Sequence, residues 1–359
     1  MLFEDLLIDS ITQYDSTRFM YAKNAVISLG KFKAPTADSL YMISLDSIVI
    51  NATGKFASID SIAFTPRDSK NEFVEKMPYL KERYTAQFEH VLLQHIDWWE
   101  FLSNEGFSAK NMILENGKLE IYTDRNLPPF PKSKVGNYPH QLLMKLSIPV
   151  SLDSMIIKNL DLTYEENNPD SKLHGKIFFN NISGYVYNIN NQPATNTNTI
   201  MKIKANCDLM NDGRLDATFL FDVTQTSTGA FSVSGELEKM DAKKLSSVSE
   251  PLGLFKIEDG KIEKLSFDFK GSDKKCSGPF TFLYDDLHIS ILKKGNEDGQ
   301  QDKKGFLSFI ANTFIIRKSN PGNDGDVRTV AASSERDIHK SFFNLIWKTL
   351  LDGFKQTVK

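Results

Sequence analysis

At 359 residues the chain is long enough to bury a large core or to build one long sheet. Its 40% hydrophobic and 25% charged residues make an ordinary globular composition. The 43 basic and 46 acidic residues leave a formal net charge of -3, without the basic footprint of a nucleic-acid binder. No stretch approaches the roughly 20 apolar residues of a membrane-crossing helix. Met1-Leu2-Phe3-Glu4-Asp5 lacks the basic and apolar regions of a secretory signal, so work outside the cytoplasm implies a targeting segment missing here or carried by a longer parent chain.

The N-terminal third, 1–127, reads as short strands. Ile48 to Ile50, Phe56 to Phe64 and Phe88 to Ile96 are strand-like runs separated by Gly, Asn, Asp or Pro. Asp97, with Glu100 three residues on, has the spacing of a helix cap, and predicts a short helix over 97–104 before Gly106. Strand character returns over Phe107 to Leu114 and again over Leu119 to Tyr122. Four prolines, Pro128, Pro129, Pro131 and Pro139, then mark a loop, because each lacks a donor and restricts the residue before it.

A second segment, 140–292, has the cleanest alternation. Met201, Ile203, Ala205, Cys207 and Leu209 share one face, as do Leu215, Ala217, Phe219, Phe221 and Val223. Phe231 and Val233, then Leu265, Phe267 and Phe269, then Phe280, Phe282 and Tyr284, repeat the pattern. A period of two over so many segments means antiparallel strands with one apolar face and one wet face. Residues 188–198 read as an Asn- and Thr-rich loop, Asp241 as the cap of a helix over 241–249, and 293–304 and 319–336 as polar, mobile connections. The last segment, 305–359, is expected to hold a final strand, a linker and a helix over 338–357. Phe342, Leu345, Ile346, Leu350 and Phe354 form its apolar stripe, widened by Phe343, Trp347 and Leu351. Such a helix is expected either to plug the sheet or to lie against a membrane, with its lysines reaching phosphates and Trp347 at the interface.

Four Gly-basic-apolar steps recur, at Gly54, Gly117, Gly213 and Gly260, three of them preceded by Asn116, Asp212 or Asp259. They are read as hairpin turns. No Gly-rich phosphate loop follows them, so no phosphate cradle is expected. Tyr284-Asp285-Asp286-Leu287 is likewise read as a turn between two strands. The pairs Glu165-Glu166 and Asp124-Arg125, together with Asp170, carry no fixed separation of the kind acid–base catalysis needs. Six scattered histidines and two cysteines offer neither a zinc motif nor a marked nucleophile. Catalytic, cofactor and metal sites are therefore not expected. Cys207 and Cys276 are read as buried strand residues or as one bridge.

The run of Tyr122-Thr123-Asp124-Arg125-Asn126-Leu127-Pro128, Tyr164-Glu165-Glu166, Gly175-Lys176-Ile177-Phe178-Phe179, Gly235-Glu236-Leu237, Pro251-Leu252-Gly253, Gly278-Pro279-Phe280-Thr281-Phe282, Asn312-Thr313 and Ser341-Phe342-Phe343-Asn344 resembles, in its order, the C-terminal region of the Bacteroidetes-type AsmA-like envelope proteins. The resemblance implies a long curved antiparallel sheet forming an apolar groove, with a few short helices and a C-terminal amphipathic helix. It implies a non-enzymatic, membrane-associated protein of the periplasm or cell envelope that binds or transfers phospholipid. Its partners would be acyl chains, with a membrane surface or an envelope protein beside them and no nucleic acid. Leu215, Phe219, Phe221, Leu265, Phe267, Phe269, Phe280 and Phe282 are the candidate lining, and the Phe342–Phe354 stripe the candidate plug or membrane helix. The alternation is equally that of a sheet filled by its own helices, an envelope scaffold without ligand.

Overall fold

The computed structural model describes residues 1–15, 17–103, 105–169, 171, 173–192, 198–291, 317–322 and 325–359. The connection expected at 293–304, the opening of the 305–359 segment with Asn312-Thr313, the middle of the 188–198 loop, and Asp170 lie outside the described residues.

Strands Leu2–Leu6 (β1), Ala22–Leu29 (β2), Phe32–Pro35 (β3), Tyr41–Asn51 (β4) and Phe56–Pro66 (β5) come first, followed by helix Lys70–Glu75 (α1). Next are Arg83–Gln94 (β6), helix Trp98–Leu102 (α2), Phe107–Asp124 (β7) and helix Pro139–Leu143 (α3). Strands Val150–Asn168 (β8), Leu173–Asn190 (β9), Ile200–Leu209 (β10), Gly213–Asp222 (β11), Phe231–Leu237 (β12) and Met240–Asp241 (β13) lead to helix Ser246–Gly253 (α4). Phe255–Gly271 (β14), Lys275–Ile291 (β15), Thr329–Glu335 (β16) and helix Phe342–Val358 (α5) complete the described elements. All sixteen strands belong to one open sheet in nearly sequential order, with β3 pairing onto β4 and β13 onto β14 at its margin. Pairing is antiparallel throughout except between β7 and β8, which run parallel. The Pro-rich segment and α3 supply the crossover that a parallel pair requires.

The mainly β architecture with a few short helices and a C-terminal helix is the one the alternation predicts. The sheet also curves: α4 packs on both β9 and β14, between which β10, β11 and β12 intervene, so those strands pass around it. Two helices were not foreseen. α1 begins at a capping box, in which the Ser69 hydroxyl accepts from Glu72 N while the Glu72 carboxylate accepts from Ser69 N. α3 starts at Pro139, whose missing donor costs nothing at the first helical position. The described residues of the 319–336 segment dock on the sheet and are not a loose linker. Asn320 is buried and donates from Nδ2 to Phe282 O at 2.6 Å, while its Oδ1 accepts from Arg328 N at 2.9 Å, which docks β16 beside β15.

Several expected turns are bulges inside long strands. Phe107 to Tyr122 is one strand running straight through Asn116-Gly117, and Asp259-Gly260 and Asp285-Asp286 sit within β14 and β15. The chain does reverse after Asn51, beside Gly54, and between Leu209 and Gly213. Ser47, His90, Asn116, Asn159 and Asn181 all have φ between 49 and 59, and Asp286 has φ 47. The pairing skips or shifts at these residues in β4, β6, β7, β8 and β9, so the interruption crosses the sheet as a row. The left-handed residue re-phases each strand: Ile177, Phe179 and Val186 all pack on one core although their numbering changes parity. Asn159 Nδ2 donates to Asn116 Oδ1 at 2.9 Å and Asn181 Nδ2 to Asp208 Oδ2 at 2.7 Å, tying adjacent bulges together. Gly117 serves close approach here, because a Cβ would lie 2.6 Å from the Phe88 ring and 2.7 Å from Leu160.

A β-branched side chain at a left-handed position costs on the order of 1–2 kcal/mol. Asn159→Val is therefore expected to lower the unfolding free energy by that amount plus the lost Asn116 hydrogen bond, with the denaturant midpoint falling in proportion, whereas Asn159→Gly loses only the hydrogen bond. Equal midpoints for the two variants would mean that the bulge does not require a left-handed residue.

Candidate functional site: the apolar face and its helical cover

The register assembles the eight candidate residues into ranks across four strands. Leu215 pairs with Leu237, which pairs with Leu265, which pairs with Phe282. Phe267 and Phe280 lie opposite one another, Phe219 and Phe269 flank Val233, and Phe221 faces Phe231. All therefore share one face, and all belong to or pack on a single core cluster. Phe221, Phe269, Phe280 and Phe282 are at most 2% exposed, while Leu215, Phe219, Leu265 and Phe267 are half-buried. Over these strands part of the face is covered from within the chain.

The filling element is α5. Phe342 sits 4.8 Å from the Tyr138 ring, 4.8 Å from Phe231 and 5.6 Å from Phe221, centroid to centroid. Leu345 and Ile346 are buried beside it, and Phe354 lies 5.4 Å from Phe282 and 5.3 Å from Phe255. Trp347 and Leu350 are half-buried, and Phe343 is 64% exposed, outside the seam. The helix starts after Ser341, later than the predicted 338. Its buried side also contains residues that the apolar stripe did not mark: Thr349, Gly353 and Thr357 are buried. The two hydroxyls donate to Leu345 O and Gly353 O at 2.9 Å, which lets them be buried without an orphan donor. Gly353 permits the helix to press on β15, since a Cβ would stand 2.5 Å from the Phe280 ring.

The cover has a second layer at α3. Tyr138 is fully buried, donates from its hydroxyl to Ser272 O at 3.0 Å, and receives Arg336 over its ring at 4.8 Å. Burial pushes its phenol up to about 12. Gln141 Nε2 donates to Thr226 O and to Asp273 Oδ2, both at 2.7 Å. These residues lay in and just beyond the stretch read as a breaking loop. The signal that would have found them is the pairing of Pro139 with polar Gln141 two residues later. Cys207 and Cys276 are both buried free thiols, so the bridge reading is replaced by the packing one. Burial pushes the Cys207 thiol up to about 11.

Away from α5 the same apolar ranks continue across the sheet. Leu45, Ile62 and Phe88 pair in series, and Ile48, Ile59, Val91, Leu114 and Ile157 form the next rank. Most of these side chains are only half-buried. Trp98 from α2 packs on the far end of this half, held by Asp97 Oδ1, which accepts from Trp99 N and Glu100 N at 3.0 and 3.1 Å. A shallow cavity of about 480 Å³ opens among Tyr41, Phe64, Tyr84, Asp38 and Lys81 at the rim. Two of the carboxylates weighed in the sequence are engaged in ion pairs, Glu165 with Lys70 at 2.8 Å and Glu166 with Arg125 at 3.0 Å. Among the described residues no group of three or more His, Cys, Asp or Glu side chains is arranged to hold a metal ion.

Fold and site together define an open, mainly β single-sheet protein whose apolar face is closed over one half by a C-terminal helix. No family model and no curated protein matches the chain.

Truncating a fully buried Phe costs about 3–5 kcal/mol. Phe342→Ala is expected to lose that much in urea unfolding and Phe343→Ala less than about 0.5 kcal/mol, the range of exposed positions. Comparable losses at both positions would contradict the observed facing of α5.

Proposed function

We propose that the chain is a non-enzymatic structural or interaction scaffold, whose sheet is filled over β10–β16 by its own C-terminal helix and needs no ligand there. The observation that carries this reading is the seating of Phe342 among Tyr138, Phe221 and Phe231. It puts the chain's own side chains where a lipid chain would otherwise lie. The placement in a bacterial cell envelope rests on the sequence resemblance alone.

A second reading is favoured by one observation, the half-buried ranks of β4–β9, over which no helix comparable to α5 lies among the described residues. Apolar surface of that kind gains roughly 25 cal/mol per Å² on being covered, and phospholipid acyl chains would gain it without polar specificity. In this reading the lipid runs along β4–β9, and the candidates on β11–β15 form its closed end.

One set of variants separates the readings. Ending the chain at Glu335 removes at least four buried apolar side chains, each contributing about 1.5–3 kcal/mol. The scaffold reading expects melting to fall by about 10 °C or more, with aggregation through the uncovered face. Unchanged melting with lost binding to anionic vesicles would instead make α5 a membrane foot. Native mass spectrometry of the gently purified full chain then tests the lipid reading. Co-purified phospholipid that disappears in Phe88→Asp without a change in melting supports it, and a lipid-free wild type removes it.

A further inference from the structure

The corner where α3 meets α5 contains a polar group that the packing does not account for. His140 is fully buried, and neither of its ring nitrogens has a hydrogen-bond partner. Its ring stacks on Phe221 at 5.2 Å and 27°, and lies 6.4 Å from Tyr138. Both of those rings also hold Phe342, the first residue of α5. One imidazole thus stands a single side chain away from the anchor of the whole helical cover. A buried polar atom without a partner costs on the order of 1–3 kcal/mol, and an aliphatic side chain would fill the same space without that cost.

We propose that His140 makes the helical cover pH-sensitive, its imidazole holding α3 and Phe342 in place when neutral and releasing them from the apolar face on taking up a proton. The groups around it are arranged for such a change. At the end of β11, Asp222 is near enough for its charge to act on the ring, with one carboxylate oxygen already accepting from Thr224 N at 3.0 Å and Thr224 Oγ1 at 2.7 Å. From the β14–β15 turn, Asp273 faces it, with Oδ2 taken by Gln141 and Oδ1 buried without a partner. Arg336 lies over Tyr138 on the other side, and the Cys276 thiol is also near that ring. An imidazolium is poorly solvated in the apolar stack with Phe221, so protonation drives the ring out of it and removes the contact that joins α3 to the rings holding Phe342.

Burial lowers the His140 pKa from its ordinary value, against the smaller opposing pull of Asp273 and Asp222. The closed form therefore binds the proton less well than the open one. Its stability is complete above the open-state pKa of about 6.5 and is lost progressively as pH falls below that value toward the depressed closed-state pKa. Each unit of difference between the two values changes the open population about tenfold.

Cys276 gives a direct reading, because it lies fully buried in the core beneath α5, with the Thr349 hydroxyl against its thiol. The full chain is labelled with 4,4′-dithiodipyridine, which reacts with thiols at acidic pH, and modification of Cys276 is followed by peptide mass spectrometry against the urea-unfolded chain at each pH. Between pH 7.5 and 5.0 the normalised rate is expected to rise about tenfold in the wild type, and less than about twofold in His140→Phe, which keeps the stacked ring without the titration. Equal rises in both proteins, or no rise in the wild type, overturn the proposal. Should His140→Phe fail to fold, imidazole NMR of the wild type decides. A ring that titrates below its ordinary value together with the α5 signals supports the switch, and a ring that titrates at or above that value, or apart from α5, refutes it.

Discussion

A sheet that carries apolar residues on one face gains by removing that face from water, and the placement of Phe342 decides how this chain does so over β10–β16. Its ring is enclosed by Tyr138, Phe221 and Phe231, so the helix that follows is fixed in both position and direction. Leu345, Ile346 and Phe354 then fall on the ranks set by β11, β12, β14 and β15. At roughly 25 cal/mol per Å² of apolar surface, such packing far outweighs any single hydrogen bond in the cover. The polar contacts have another part: they fix the edge. Asp352 Oδ2 accepts from Ser333 N at 2.8 Å and Gln356 Nε2 donates to Ala331 O at 3.3 Å, so α5 also occupies backbone groups of β16 that an edge strand would leave open.

The row of left-handed bulges is what keeps one face apolar over strands of up to 19 residues. A long strand with strict alternation twists its side chains progressively away from a curved core. A single left-handed residue bends the strand and resets its phase, as Ser47 does between Leu45 and Ile48 and His90 between Phe88 and Val91, and the paired Ile62 and Ile59 of β5 stay in the corresponding ranks. Asn suits these positions because it tolerates positive φ and its amide reaches the neighbouring strand, as between Asn159 and Asn116.

The sequence carried the period-two ranks of β10–β15, the Asp97 cap and the C-terminal helix in plain form, because each is local. The need for a left-handed residue was also legible at Asn116, Gly260 and Asp286, but local chemistry does not say whether such a residue reverses a chain or bends it. The deciding signal is the apolar step of three across the residue, Tyr284 to Leu287 being the clearest case. A hairpin would have no reason to keep both of these in one core, as this strand does. Whether the ranked face was an open channel or a filled core could not be read at all from the strands, because the cover comes from α3 and α5, far apart in the chain. Thr349 and Gly353 illustrate the difficulty. They are small or polar residues that face the core only because the helix lies so close to β15.

The two halves of the sheet consequently play different parts. The C-terminal half is covered by α3 and α5, with His140 buried where the two helices meet. The N-terminal half leaves its apolar ranks half-covered and is where any partner or ligand would gain most. The claim on which this depends is that α5 and β10–β16 form one cooperative unit. Native-state hydrogen exchange on the full chain measures it directly. The account predicts that amides of Leu345 to Gly353 exchange with the same opening free energy, and the same denaturant dependence, as those of β11 and β12. Exchange of α5 through a separate, much lower-energy opening at neutral pH would contradict it.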